Sequence, residues 1–159
     1  YGAIVFGIGY FIYYQLMAGP TIQDNYKENL GHVNALKEKY LETLGEFKRE
    51  KYDDFKSRSE ILDLGKGVYE TNCQSCHNEK GAGDIGPNLT DKYWLYAEAT
   101  PETIYPFIIS GSPSGGMPAW GTILDEDELY SVLAYIKSLE GMKHANAKEP
   151  QGEPFEGHN

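Results

Sequence analysis

The chain of 159 residues has only two cysteines, Cys73 and Cys76. Two thiols cannot build the multi-bridge framework of a small secreted domain. Nor do they complete a four-ligand zinc site, because no second pair exists and His32, His144 and His158 are scattered. Basic residues are scarce: 14 Lys and Arg stand against 24 Asp and Glu, for a formal net charge of −10. That sign disfavours a nucleic-acid partner, whose phosphates call for cations. Charge of either sign is missing from Tyr1 to Gln23. From Gly141 to Asn159 apolar residues are too sparse to build a core. There is no internal repeat.

The uncharged run contains an apolar stretch, Tyr1 to Ala18, with Ile4, Val5, Phe6, Ile8, Phe11, Ile12 and Leu16. At about 1.5 Å per residue, roughly 20 helical residues cross the hydrocarbon core of a membrane. Gly19-Pro20 supplies a stop, and Tyr10, Tyr13 and Tyr14 suit the membrane–water boundary. A single-pass transmembrane anchor over residues 1–20 is therefore expected. A buried core helix is rarely apolar all round. A signal peptide would show a basic start and a small-residue cleavage site, and neither precedes Gly19. The run opens without methionine, so the sequence is expected to continue upstream of Tyr1.

Three further regions follow: a charged helical connector over 21–60, a compact domain over 61–140 and a flexible polar tail over 141–159. Between Asp24 and Glu60 nine acids meet eight bases, which leaves that segment nearly neutral. Leu30, Val33, Leu36, Tyr40, Leu44 and Phe47 recur at three- or four-residue spacing and form one apolar stripe. A partner helix, the following domain or a neighbouring subunit would cover it; a solvated spacer helix is the plainer alternative. The acid excess falls between Glu79 and Glu128, where nine acids face only Lys80 and Lys92, giving −7. A field of that sign favours a basic protein partner, with general solubility as the simpler explanation.

Cys73-Gln74-Ser75-Cys76-His77 carries the most specific chemistry. Two cysteines three positions apart with histidine next form the attachment sequence for a c-type haem. The thiols add to the haem vinyl groups, and the imidazole ligates iron from the proximal face. A thioredoxin-like dithiol would want a strand–helix setting, whereas this stretch reads as a helix end. A Cys73–Cys76 disulfide would leave His77 unexplained.

Ile61 to Asn72 is expected to be a helix leading into this motif. Gly65 and Gly67 each cost a helix about 1 kcal/mol against Ala, which points to close approach of another backbone. The partner is the last helix, with Asp125 as N-cap, Glu128 completing a capping box, and Leu129, Val132, Leu133, Ile136 and Leu139 as its buried stripe. Thr100-Pro101-Glu102 opens another helix through Ser110.

Gly65 eight residues and Tyr69 four residues before Cys73, with Val132-Leu133-Ala134-Tyr135-Ile136-Lys137 in the last helix, resemble the class I cytochrome c fold. The resemblance implies an all-α domain around one covalent haem c. It also implies a helix crossing in which Gly65 and Tyr69 meet Val132 and Tyr135. The sixth iron ligand is expected between these helices, where Met117 is the only methionine; core filler is its plainer role, and His32 the distant rival. Ile85-Gly86-Pro87-Asn88-Leu89 resembles the family's proline loop, which implies that the Pro87 carbonyl accepts a hydrogen bond from Nδ1 of His77. Asn88, Tyr93, Trp94 and Trp120 are candidates to line the pocket or meet the propionates, against simple packing.

Gly86-Pro87-Asn88-Leu89-Thr90-Asp91-Lys92-Tyr93-Trp94-Leu95-Tyr96 and Met117-Pro118-Ala119-Trp120-Gly121 narrow the resemblance to the membrane-anchored CcoP-type cytochrome c subunit of cbb3-type oxidases. Ile4-Val5-Phe6 and Gly19-Pro20-Thr21 resemble that subunit's anchor and neck. Many members carry two haem domains; this chain has one CxxCH and looks closer to single-haem forms. The resemblance implies a bacterial cytoplasmic membrane location with the haem domain on the periplasmic side. It implies His77/Met117 axial ligation and no catalytic site of its own. As partners it implies a haem–copper catalytic subunit, a sister cytochrome c subunit and a basic soluble or tethered electron donor. The anchored cytochrome of a nitric oxide reductase and a free-standing tethered carrier are the alternatives.

Overall fold

The computed structural model describes residues 1–16, 22–44, 46–96, 98–112 and 116–155. It divides into two compact units, Tyr1–Thr43 and Leu44–Asn159.

In the first unit, helix α1 (Gly2–Phe11) runs into a π-helical turn at Ile12–Leu16, and α2 spans Ile22–Thr43. Tyr10, Tyr13 and Tyr14 gather, with Tyr10 and Tyr14 ring centroids 4.6 Å apart. Among the described residues no helix is long and apolar enough to cross a membrane. The anchor expected over 1–20 is thus not seen as a continuous span. The helical stretch before Met17 is ten residues followed by five, and the Gly19-Pro20 stop lies outside the described residues. On α2 the expected stripe is present in Leu30, Val33 and Leu36, all exposed. It does not continue through Leu44 and Phe47, because α2 ends at Thr43.

The second unit contains α3 (Arg49–Lys56), α4 (Ser59–Asn72), α5 (Gln74–His77), α6 (Pro101–Ser110) and α7 (Glu126–Ser138), with 3-10 turns at Glu79–Gly81 and Trp120–Thr122. Its frame is the crossing of α4 with α7. A Cβ at Gly65 would fall 2.0 Å from the Ser131 carbonyl oxygen and 3.0 Å from Tyr135 Cβ, so only glycine lets the two backbones touch. Tyr69 and Tyr135 pack with ring centroids 5.4 Å apart. Gly67, by contrast, faces open space and meets no second backbone. The capping box at Asp125 and Glu128 is complete in both directions, at 2.9 and 3.0 Å. Buried Leu129, Leu133, Val132 and Ile136 then hold α7 in the core. Thr100 caps α6, and Pro101 occupies its first turn, where no N–H is needed.

The unit reaches beyond 61–140 at both ends. On the N-terminal side Phe47, Tyr52 and Phe55 join Tyr105 and Tyr130 in an aromatic cluster; Tyr105 and Tyr130 lie 4.5 Å apart. The Lys48 N–H donates to the Tyr130 hydroxyl at 2.6 Å. Lys48 and Lys51 pair with Glu126, Lys51 also with Asp127, and Arg49 with Glu102. On the C-terminal side the polar segment lies across the domain. The Gly141 N–H donates to Thr90 O, Lys148 N–H to Ala82 O and Phe155 N–H to Lys92 O. Strand β1 (Tyr93–Trp94) pairs antiparallel with β2 (Glu153–Pro154), a ribbon added to an otherwise helical domain. Residues 141–155 lack the apolar area for a core, and backbone hydrogen bonds attach them instead.

Candidate functional site

The turn from α4 into α5 places Cys73, Cys76 and His77 on the wall of one cavity of about 280 Å3. Both thiols are free, and burial pushes Cys73 up to about 11. The His77 ring stands against Gly86, where a Cβ would fall 2.8 Å from Cε1. Its Nδ1 lies 2.9 Å from the Pro87 carbonyl. A carbonyl only accepts, so Nδ1 carries the proton and donates, leaving the Nε2 lone pair free for a metal. Burial holds the imidazole below its ordinary pKa, the Lys148 charge adds to this, and the Pro87 bond opposes it. A neutral imidazole is what iron requires.

Met117 lines the same cavity, and its backbone is tied to Ser112. The Met117 N–H donates to Ser112 Oγ, and the Ser112 N–H donates to the Met117 carbonyl, each at 3.0 Å. Gly111 makes this closure possible: its φ is +76°, and a Cβ there would lie 2.6 Å from Met117 O. Ser114 and Gly115, read as part of the methionine loop, lie outside the described residues.

Pro87, Asn88, Tyr93, Trp94 and Trp120 line the same cavity, so all nine residues singled out in the sequence meet there. Their polar atoms differ in use. Asn88 Oδ1 accepts from Thr90 N–H and from Thr90 Oγ1, at 2.9 and 2.8 Å, and its amide donates to Lys148 O. Asn88 thus braces the loop rather than offering its amide to a ligand. Trp94 Nε1 is buried and finds no hydrogen-bond partner among the described residues, a donor that an acceptor group could meet. Sequence reasoning passed over the apolar lining, including Ile104, Phe107, Ile108 and Leu124. The three-and-four spacing of the α6 residues was its signal. It also passed over Gly111, Ser112 and Lys148.

Two thiols, a neutral imidazole with one free nitrogen, a thioether on the same cavity and an apolar lining fit a covalently held haem. Together with the α4–α7 crossing they define a c-type cytochrome domain of class I. Residues 61–136 match the family described as cytochrome c oxidase, cbb3-type, subunit III. Over those residues the domain resembles that family, and a cytochrome c of this kind implies covalent haem c.

The chain is 40% identical over 82 residues to the cbb3-type cytochrome c oxidase subunit FixP of Bradyrhizobium sp. (strain ORS 278), covering 50% of this chain and 28% of FixP. It is 29% identical over 128 residues to cytochrome c-L of Methylorubrum extorquens, covering 80% of this chain and 61% of that protein. Among solved structures, cytochrome cL of Methylophaga aminisulfidivorans superposes with a TM-score of 0.50 at 27% identity, over 53% of this chain and 58% of the other. The chain thus spans less than a third of the length of the FixP relative it matches.

Proposed function

We propose that this chain is a membrane-anchored, mono-haem electron-entry subunit of a cbb3-type oxidase. The observation that carries the reading is the placement of His77 and Met117 on one apolar cavity beside Cys73 and Cys76. In this reading Cys73 and Cys76 would hold the haem through thioethers, and His77 Nε2 and Met117 Sγ would be the protein ligands to its iron. The haem, when bound, accepts and returns one electron. Pro87 fixes the tautomer and direction of His77, and the Ser112–Met117 closure fixes the thioether. With His77 and Met117 both committed to the iron, the centre would suit electron transfer rather than oxygen binding.

The location is an inference from the apolar run at Tyr1–Ala18 and from the FixP likeness: a bacterial cytoplasmic membrane with the haem domain on the periplasmic side. The partners are a haem–copper catalytic subunit, a sister cytochrome c subunit and a basic soluble or tethered electron donor. Purification in mild detergent tests the assembly. Co-elution with a copper- and haem b-containing subunit supports it; elution of the cytochrome alone sinks it. A second reading, a cytochrome of the cytochrome c-L kind, draws on the longer match to that protein. Isolation without an oxidase would favour it.

A further inference from the structure

The tail residue Lys148 is anchored at the back of the proximal loop. Its N–H donates to Ala82 O at 2.8 Å, and its carbonyl accepts from Asn88 Nδ2. Its ammonium, half-buried with the rest of the side chain, donates to Ile85 O at 3.1 Å and Gly86 O at 3.2 Å. Gly86 and Pro87 both meet the His77 ring, one beside Cε1 and one at Nδ1. The Gly86 N–H in turn donates to Cys76 O at 2.8 Å. A single cation thus grips two successive carbonyls of the loop that orients the proximal imidazole.

We infer that Lys148 is a positioning residue for the haem redox centre. It clamps the Ile85–Pro87 loop against His77 and places a positive charge behind the proximal ligand, which favours the reduced state. Oxidation adds one positive charge at the iron, and a nearby ammonium disfavours the oxidised centre relative to the reduced one. A charge-assisted hydrogen bond is also stronger than a neutral one, so the loop is held more firmly than by its backbone contacts alone. The inference rests on the haem reading proposed above. Partial exposure of the ammonium lets solvent screen the effect, so a definite but modest shift is expected.

The test uses the full haem-loaded chain, with Lys148→Met, Lys148→Gln and Lys148→Arg beside the wild type. Spectra first establish covalent haem and methionine ligation. If the wild type lacks either, the haem reading falls and takes this inference with it. With both present, the midpoint potential is measured by spectroelectrochemistry. The expected result is a lower potential in Lys148→Met and Lys148→Gln, with Lys148→Arg close to wild type. Unchanged potentials in Met and Gln variants that keep their methionine-ligated spectra would overturn the inference and leave the haem reading standing. A Lys148→Arg potential as low as that of Lys148→Met would overturn it too, because the charge would then not be the agent. Should Lys148→Met fail to fold, Lys148→Gln, which keeps a donor for the loop carbonyls, carries the same decision.

Discussion

Gly86 admits no larger residue. An alanine Cβ there would meet the His77 ring at 2.8 Å, well inside van der Waals contact. Gly86→Ala should turn the ring away from Pro87 and lower the yield of haem-loaded protein, read by alkaline pyridine difference spectra; an unchanged yield with an unchanged spectrum would refute this role. On the proposed haem reading, Met117→Ala should remove the long-wavelength sulfur-to-iron band of the oxidised protein while leaving the haem covalently bound. Retention of that band would assign the sixth position to another residue. The motif residues were readable because their chemistry is local: Cys73, Cys76 and His77 sit within five positions. Gly111 and Lys148 were not, because a positive φ at one and a grip on a loop 62 residues away at the other exist only after folding.

At the scale of elements, α3 changes where the domain begins. The apolar spacing ran unbroken from Leu30 to Phe47, yet the helix ends at Thr43, and Phe47 packs on Tyr105 and Tyr130. Spacing alone cannot tell which neighbour an aromatic ring will find, and Gly45 was the one local hint of a break. The joint is fastened by the Lys48 N–H to Tyr130 hydroxyl bond. Tyr130→Phe should cost about 1 kcal/mol in chemical denaturation, and no loss would mean the amide finds another acceptor.

The same cluster sets an alkaline limit. Burial pushes Tyr52 up to about 12 and raises Tyr105 as well. The unfolded chain ionises these phenols near pH 10. Their contribution is therefore whole below about pH 10 and is lost as pH climbs towards 12. Unfolding midpoints followed by circular dichroism should fall across that window. A flat profile would contradict the buried, protonated phenols.

Across the whole molecule, charge is arranged less simply than the sequence total suggests. Of the nine acids between Glu79 and Glu128, Glu102, Glu126 and Asp127 are paired with Arg49, Lys48 and Lys51. Asp125 and Glu128 are engaged in the cap of α7. The connector, close to neutral by count, thus spends its cations on the domain's acids, a pairing that linear charge tallies cannot reveal. If the proposed function holds, electron entry from a basic donor should slow with rising salt. Lys48→Gln with Lys51→Gln should steepen that dependence by releasing two carboxylates. Stopped-flow rates against ionic strength measure both, and a flat response in wild type and variant alike would remove the steering role.

The return of the tail across the proximal loop also sets an order of assembly. Lys148 and Gly86 are 62 residues apart in the chain. Drawing them together costs loop entropy that is smaller once α4 and α7 have already crossed. The frame therefore closes early and the strap late. Until it does, the loop beside Cys76 lacks the hydrogen bonds that Lys148 makes to Ile85 and Gly86. On the haem reading proposed above, the strap would then belong to the last stage of maturation rather than to the first collapse.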